Sequence, residues 1–307
     1  MRTLTVFTPT YNRSYCLGQL YESLKRQKND DFEWLIIDDG STDNTEELVQ
    51  GWLAEAQISM TYIKQENQGM HGAHNTAYEN IRTELNVCMD SDDYMPHDAI
   101  DKIISFWKTH GSNKVSGFVA LDAYTDGRII GTRLPDKLEA STLFDLYAKH
   151  GVTGDKKLVY RTELAKLYPY PLFQGERYVG LAYKYYKLDE HYPLLLCNEV
   201  LCIVEYMEDG SSRNMLRQYR INPRGFAFYR KSLMELSLAS AGFKYRQAVH
   251  YISSSLFSRN RNWFKESPKK GLTLLAIVPG LLLHLFIVSR MNRLNKQRGT
   301  ANDYSVG

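Results

Sequence analysis

Short apolar runs alternate with stretches of helical period through the first hundred residues. Leu4-Thr5-Val6-Phe7-Thr8 is rich in β-formers, and behind it Leu17, Leu20 and Leu24 recur at helical spacing. Phe32 to Ile37 predicts a second strand, Met60 to Ile63 a third and Leu85 to Met89 a fourth. Asp43, with Glu46 three residues on, reads as a capping pair opening a helix through Leu48, Trp52 and Leu53, and Gly72 to Ile81 predicts another helix. Strand–helix alternation at this spacing predicts an α/β fold on an open, mostly parallel sheet with right-handed crossovers.

The pattern is less regular from residue 100 to 222. Val115 to Leu121 and Arg128 to Gly131 predict strands joined by a hairpin turn at Asp126-Gly127. Leu158-Val159-Tyr160 and Val200 to Val204 predict two more, with a short helix at Thr162 to Leu167. Tyr168-Pro169-Tyr170-Pro171 breaks any helix before Gln174-Gly175-Glu176-Arg177. From Asn222 the chain turns helical, with Phe226, Tyr229, Leu233, Leu236 and Leu238.

Open parallel sheets take their ligands at the carboxyl ends of the strands. Every early polar cluster falls there: Thr8-Pro9-Thr10-Tyr11-Asn12-Arg13, then Asp38-Asp39-Gly40-Ser41, then Asn67-Gln68-Gly69, then Asp90-Ser91-Asp92-Asp93. Three carboxylates in four residues raise one another's pKa unless a cation or donors offset them. Clustered hard oxygens suit Mg2+ or Mn2+, which in turn suit a diphosphate. Taken singly, an acidic turn or helix cap explains each Asp cluster as well as a site does; their shared edge is what favours a site. No Gly-x-Gly-x-x-Gly follows the first strand and no Walker loop occurs, so neither a dinucleotide fold nor a P-loop is supported.

Charge adds a second theme. The chain of 307 residues carries a net +3, but residues 259–298 hold nine Lys/Arg against Glu266 alone, a local +8 that leaves −5 elsewhere. This asymmetry argues against general nucleic-acid binding and for a localised contact with an anionic membrane surface. Within that region Gly271 to Ser289 has no formal charge, close to the ~20 residues that cross a bilayer, but Pro279-Gly280 falls in its middle. A span, a broken helix lying in one leaflet, and a buried core or oligomer helix all fit; basic flanks favour the interfacial form. Cys16, Cys88, Cys197 and Cys202 form no Cys-x-x-Cys pair and read as small buried hydrophobes in a reducing compartment. Met1 to Phe7 lacks the long apolar stretch of a signal peptide, so the bulk of the protein is expected at the cytoplasmic face.

Taken in order, Thr8 to Arg13, Ile37 to Asp43, Asn67-Gln68-Gly69 through Asn75, and Met89 to Asp93 resemble the family 2 glycosyltransferases, which use nucleotide-sugar donors on a GT-A fold. The resemblance covers roughly the first hundred residues. It implies residues 1–110 as the nucleotide-sugar half of a GT-A domain, 111–222 as the acceptor half and 223–307 as a helical region whose membrane-associating segment is 271–289. It further implies that Pro9, Tyr11 and Arg13 line a base pocket, often for uridine, that Asp38 or Asp39 bonds a base edge, with Asp39 preferred, and that Gly69, Asn75, Asp90 and Ser91 also face the nucleotide-sugar. Asp92, with Asp90, would hold Mn2+ or Mg2+ against the diphosphate, leaving Asp93 to orient the motif or contact the sugar. Relatives often place a basic residue after the glycine of the third loop; here Met70 and His71 follow Gly69, so His71 either replaces that phosphate contact or caps the helix.

Inverting members also place an acid in a short acceptor-side loop. Glu176 is the expected general base and Asp155 the runner-up, while a surface ion pair of Glu176 with Arg177 or Lys184 is the plain structural alternative. The expected activity is transfer from a UDP-type donor to a saccharide or lipid-linked acceptor, with inversion, in cell-surface polysaccharide synthesis. A sugar nucleotidyltransferase would want a Gly-rich basic loop after the first strand, which is lacking, and a membrane-anchored sugar-binding or scaffold subunit is the non-catalytic alternative.

Overall fold

The computed structural model describes residues 2–205 and 215–303, with side chains through residue 293. In chain order the elements are β1 (Leu4–Thr10), α1 (Ser14–Lys25), β2 (Phe32–Asp38), α2 (Thr45–Glu55), β3 (Met60–Lys64), α3 (Met70–Asn80), β4 (Leu85–Cys88), α4 (Ala99–His110), β5 (Gly117–Tyr124), β6 (Ala140–Ser141), α5 (Leu143–Ala148), β7 (Lys156–Arg161), α6 (Thr162–Ala165), α7 (Ala182–Asp189), β8 (Leu194–Val204), α8 (Met215–Ile221), α9 (Pro223–Glu235), α10 (Ala241–Phe257), α11 (Trp263–Glu266), α12 (Lys270–Leu275) and α13 (Ile277–Asp303). The chain divides into two compact units: residues 1–170 with 184–208, and residues 171–183 with 209–307.

The first unit is built on one sheet in the order β3-β2-β1-β4-β7-β5-β8-β6. β1 pairs in parallel with β2 and β4, and β2 with β3, as strands feeding crossover helices must. The second half departs from a mostly parallel sheet: β7 runs antiparallel to both β4 and β5, β6 antiparallel to β8, and only β5 and β8 are parallel. The reversal of β7 matters for function, because it brings the start of that strand to the edge where β4 ends. Every residue of β1 is buried, as expected of a strand covered on both faces. Three aromatics on different elements tie the layers together: Tyr21 of α1 stacks on Trp52 of α2 at 4.3 Å, and Trp52 lies 5.9 Å from Trp34 of β2. Trp34 also donates Nε1–H to Thr8 Oγ1 at 2.9 Å, so the buried indole is satisfied.

Two local expectations are revised. The hairpin at Asp126-Gly127 turns as predicted, with Tyr124 N–H donating to Arg128 O, but residues 128–131 form only an isolated bridge, Ala123 to Ile129. Asp43 does not pair with Glu46 as a capping box. Its Oδ1 accepts from Thr45 N–H and Oγ, its Oδ2 from Ser14 N–H and Oγ, so one carboxylate serves the first residues of α1 and α2 together. Those bonds hold its pKa below the ordinary value against the upward push of burial. Glu46 reaches Lys64 instead, at 2.6 Å.

In the second unit α9, α10, α12 and α13 pack around Met234, Ala248, Tyr251, Ile252 and Ala276. Pro279-Gly280 does not break the long helix. The break comes just before, between α12 and α13, and Pro279 occupies the first turn of α13, where its missing N–H has no partner to lose. A Cβ on Gly280 would lie 2.7 Å from Ile252 Cβ, so glycine there lets α13 seat closely on α10. Among the described residues no helix is long and apolar enough to cross a membrane.

Candidate active site

Parallel pairing puts Thr10 beside Asp38 and Asp38 beside Lys64, while Phe7 sits beside Cys88. The loops leaving β1, β2, β3 and β4 therefore emerge side by side on one edge of the sheet. They are stitched together by short polar side chains. Asn12 adopts a left-handed φ of 53° and accepts from Thr42 N–H at 2.8 Å, and its own N–H donates to Ser41 Oγ at 2.9 Å. Gly40, with φ +85°, lies so near the third loop that a Cβ would meet Asn67 N at 3.0 Å.

Asp38 and Asp39 are the framework of this edge. Asp38 is fully buried; its Oδ1 accepts from Ser41 N–H at 2.7 Å and its Oδ2 from Tyr62 OH at 2.5 Å. Asp39 accepts from Gln65 Nε2 and Gln68 N–H on Oδ1 and from Gly69 N–H on Oδ2, at 2.7 to 2.9 Å. Both carboxylates thus organise loops, and Asp39 holds the 65–69 loop in place at the edge where the sequence expects it to meet a base. Tyr11, by contrast, is half exposed beside them, while Pro9 is buried within β1 as part of the wall.

The acid turn closes with Asp93 N–H donating to Asp90 O at 3.1 Å, and Tyr94 and Ile203 then exchange backbone bonds that anchor it to β8. Asp90 presents an open face to solvent although protein crowds it from behind. That crowding pushes its carboxyl up; Lys157 pulls it down, and Asp92 and Asp155 add repulsion. Asp92 lies 3.4 Å from Arg13 Nη1, which also donates to Tyr15 OH at 2.8 Å. Asp93 faces inward: it accepts from Cys202 Sγ at 3.4 Å and lies 3.8 Å from Lys157 Nζ. Burial lifts its carboxyl to about 7 despite that lysine. Asp122, buried on β5, is likewise lifted by burial, to about 6, and among the described residues its Oδ1 has no hydrogen-bond partner. Lys157 sits among them. Burial would lower its pKa, but the thiol of Cys202 and the carboxylates of Asp122, Asp93 and Asp90 hold it well above the usual lysine value. The edge therefore carries a buried internal cation under an acid cluster, with Asp90 and Asp92 facing outward and Asp155 exposed at the start of β7.

Residues 5–166, more than half of the chain, match the family model described as Glycosyl transferase family 2. The chain belongs to glycosyl transferase family 2. Among curated relatives of this family 2 member, GlyA of Streptococcus pneumoniae is 31% identical over 100 residues, 33% of this chain and 14% of that protein. TarS of Staphylococcus aureus is 27% identical over 115 residues, 37% of this chain and 20% of TarS. The matched stretch is thus well under two thirds of these relatives' length. The solved structure of residues 1–349 of S. aureus TarS with UDP-GlcNAc superposes with a TM-score of 0.59 at 19% identity, covering 89% of this chain and 79% of that one. The mannosyltransferase PcManGT from Pyrobaculum calidifontis, in complex with GDP-Man and Mn2+, gives 0.54 at 18% identity, covering 93% and 88%. At such identities the likeness establishes the GT-A fold.

Among the described residues no three metal-ligating side chains converge. Two outward carboxylates are nonetheless what Mg2+ or Mn2+ takes from a protein when substrate phosphates complete the shell, so Asp92 and Asp90 fit such an ion. Gly69 starts α3 with φ +83°. His71 and Asn75 do not stand as expected. His71, His74 and Tyr78 share the face of α3 turned to the sheet, and His71 is only 1% exposed, so its ring is not offered to a phosphate. Asn75 clamps the backbone of Tyr170, donating to its carbonyl and accepting from its N–H at 2.8 Å each. Ser91 is buried within the acid turn.

Glu176 lies in the second unit. Its Oε1 accepts from Arg224 N–H and Nε at 3.1 and 2.9 Å, and its Oε2 from Gly225 N–H at 2.8 Å. It therefore pairs with Arg224 rather than Arg177 or Lys184, at the N-terminal turn of α9, where the helix dipole favours an anion. Reading the sequence alone missed Lys157 and Asp122. The available signal was a charge inside one strand-like apolar run, Asp122 within Gly117 to Ala123, and another heading a second, Lys157 before Leu158 to Tyr160.

Proposed function

We propose that this family 2 enzyme transfers a sugar, with inversion, from a nucleoside diphosphate donor of the UDP class to a saccharide or lipid-linked acceptor in cell-envelope polymer synthesis. One observation carries the reading: the loop after β1 and the acid cluster after β4 meet at Arg13 and Asp92 on the carboxyl edge of a GT-A sheet. Support for the polymer class comes from relatives named as a poly(ribitol-phosphate) N-acetylglucosaminyltransferase and, in Staphylococcus epidermidis, a teichoic acid poly(glycerol phosphate) polymerase. Neighbouring structures that hold UDP-GlcNAc or GDP-Man support a nucleotide-sugar donor.

In this mechanism Tyr11 offers a face for the nucleoside base, with Pro9 and the Asp38–Asp39 framework shaping the wall behind it. Arg13 supplies positive charge beside the diphosphate. Asp92 and Asp90 would hold a divalent ion, whose chemistry when bound would be to neutralise charge building on the leaving nucleoside diphosphate. Lys157 and Asp93 keep the acid turn in place from beneath. An acceptor hydroxyl must lose a proton as it attacks the anomeric carbon, and two acids are candidates to take it. Glu176 has the family resemblance behind it; three donors fix its orientation and occupy three of about four lone-pair sites, leaving one for a hydroxyl. Asp155 has its position behind it: exposed, and near enough to raise the pKa of Asp90.

The test is a panel of nucleotide-sugars incubated with the full chain and Mn2+, with release of nucleoside diphosphate as readout and EDTA as control. Turnover of one donor that EDTA abolishes is expected. A folded protein that turns over none of them, with or without acceptor saccharides, sinks the enzymatic reading and leaves the sugar-binding subunit.

A further inference from the structure

Residues 277–289 of α13 are apolar nearly all round, and only one side of this stretch is covered. Gly280, Ile287 and Met291 are buried on the covered side, where the His284 ring sits 4.2 Å from Phe257 of α10. On the other side Val278, Leu282, Leu285 and Phe286, continued from α12 by Leu274 and Leu275, are each between 59% and 70% exposed. Positions 278, 282 and 285 follow a four- and three-residue step, which aligns them in one stripe along the helix. Scattered exposed leucines need no explanation, but a contiguous stripe on a soluble surface does.

The charges around the stripe say what covers it. Lys265, Lys269 and Lys270 are exposed before it, and Arg290 and Arg293 after it. The one acid of this region, Glu266, is paired with Lys231 at 3.2 Å. We propose that the exposed face of α12 and α13 docks in the plane of an anionic lipid bilayer, with the stripe in the boundary of headgroups and acyl chains and the flanking cations on acidic headgroups. A second copy of the chain fits less well, because pairing this face with itself would bring two sets of like charges together around a core that interfaces normally keep free of charge. A span fits less well too: among the described residues no helix is long and apolar enough to cross a membrane, and α13 has its other face on α10. An in-plane helix with basic residues bounding an apolar face is the arrangement that binds such an interface.

The inference rests on this surface alone and its test needs no sugar transfer. The purified full chain is co-sedimented with vesicles of phosphatidylcholine, or of equimolar phosphatidylcholine and phosphatidylglycerol. The wild-type protein is expected to pellet with the anionic vesicles, with Leu282→Glu/Leu285→Glu weakening binding roughly tenfold or more and Lys269→Gln/Lys270→Gln reducing the preference for anionic lipid. Circular dichroism confirms that the variants fold; should the first pair misfold, Leu285→Ser/Phe286→Ser takes its place. Wild-type protein that stays in the supernatant, or binding that the stripe substitutions leave unchanged, overturns the proposal. A dimer in light scattering that these substitutions dissociate, without vesicle binding, overturns it too and gives the face to a second copy.

Discussion

Arg13 Nη1 lies 3.4 Å from Asp92 Oδ2, so the loop after the first strand and the acid turn after the fourth share one ion pair. Both side chains are partly exposed, and in water such a pair alone contributes little to stability. Its worth is in positioning charge at the edge where a diphosphate would lie. Arg13→Gln is expected to leave the melting temperature nearly unchanged while raising the donor KM about tenfold or more, the scale of one lost charge-assisted hydrogen bond. Steady-state kinetics against donor concentration checks this, and an unchanged KM removes Arg13 from the donor site.

Asp92→Asn keeps the shape of the turn and removes one hard anionic ligand. Turnover supported by Mn2+ should fall at least about a hundredfold, with folding intact by circular dichroism. Activity that survives and stays sensitive to EDTA would place the ion elsewhere.

Glu176→Gln and Asp155→Asn separate the two acids. Loss of a general base costs about 10² to 10⁴ in rate, so the correct substitution should lower kcat on that scale while donor affinity holds. Loss at Asp155 with Glu176→Gln still active assigns the proton to Asp155 and leaves Glu176 as the support of α9. Melting of Glu176→Gln should itself drop modestly, since Arg224 and Gly225 lose part of their anionic partner.

Lys157→Met tests the internal cation. Removing it leaves Asp93, 3.8 Å away, buried without its ion-pair partner, and takes from buried Asp122 the larger of its two favourable cations, Lys156 being the other. A destabilisation of about 3–5 kcal/mol by urea unfolding is expected, the usual result of breaking a buried pair from one side. A change below about 1 kcal/mol would show that the carboxylates are held neutral without it.

Lys184 sets a pH dependence of stability. It is almost fully buried, donates to Ala165 O, and lies 4.1 Å over the Tyr78 ring and 5.1 Å over that of Tyr170. Burial lowers its pKa from 10.5 to about 7. Between those values the unfolded chain binds the proton and the folded chain does not, so stability rises with pH through this window and the penalty is complete below it. Wild type should gain about 2 kcal/mol relative to Lys184→Met between pH 7 and pH 9. Parallel stability curves for the two proteins would refute the depressed pKa.

The strands β1 to β4 and the loops after them were legible because their signals are local. A run such as Leu4 to Thr8 or Leu85 to Cys88 is buried by its own composition, and the parallel order follows from the helices between the strands. The acid turn and the loop carrying Arg13 were readable for the same reason. The motif places Asp39 and Asn75 near the edge, as ligand contacts would be. Which atom a short polar side chain finds depends on the neighbouring loop, and here the partners are Gly69 N–H and the Tyr170 backbone, 30 and 95 residues away.

By itself the sequence determined the family, the α/β order of its first half, the edge where polar loops gather and a basic, apolar region near residues 259–298. Each of these is written in composition and spacing over a few turns of chain. Only the tertiary structure decided that β7 runs back against β4, and with that reversal that Lys157 lies beneath the acids and Asp155 beside them. It also decided that Glu176 supports α9 and that one stripe of α13 is covered while the other is bare. These are facts about which distant side chains meet, and burial and ion pairing between them depend on packing that no local pattern encodes.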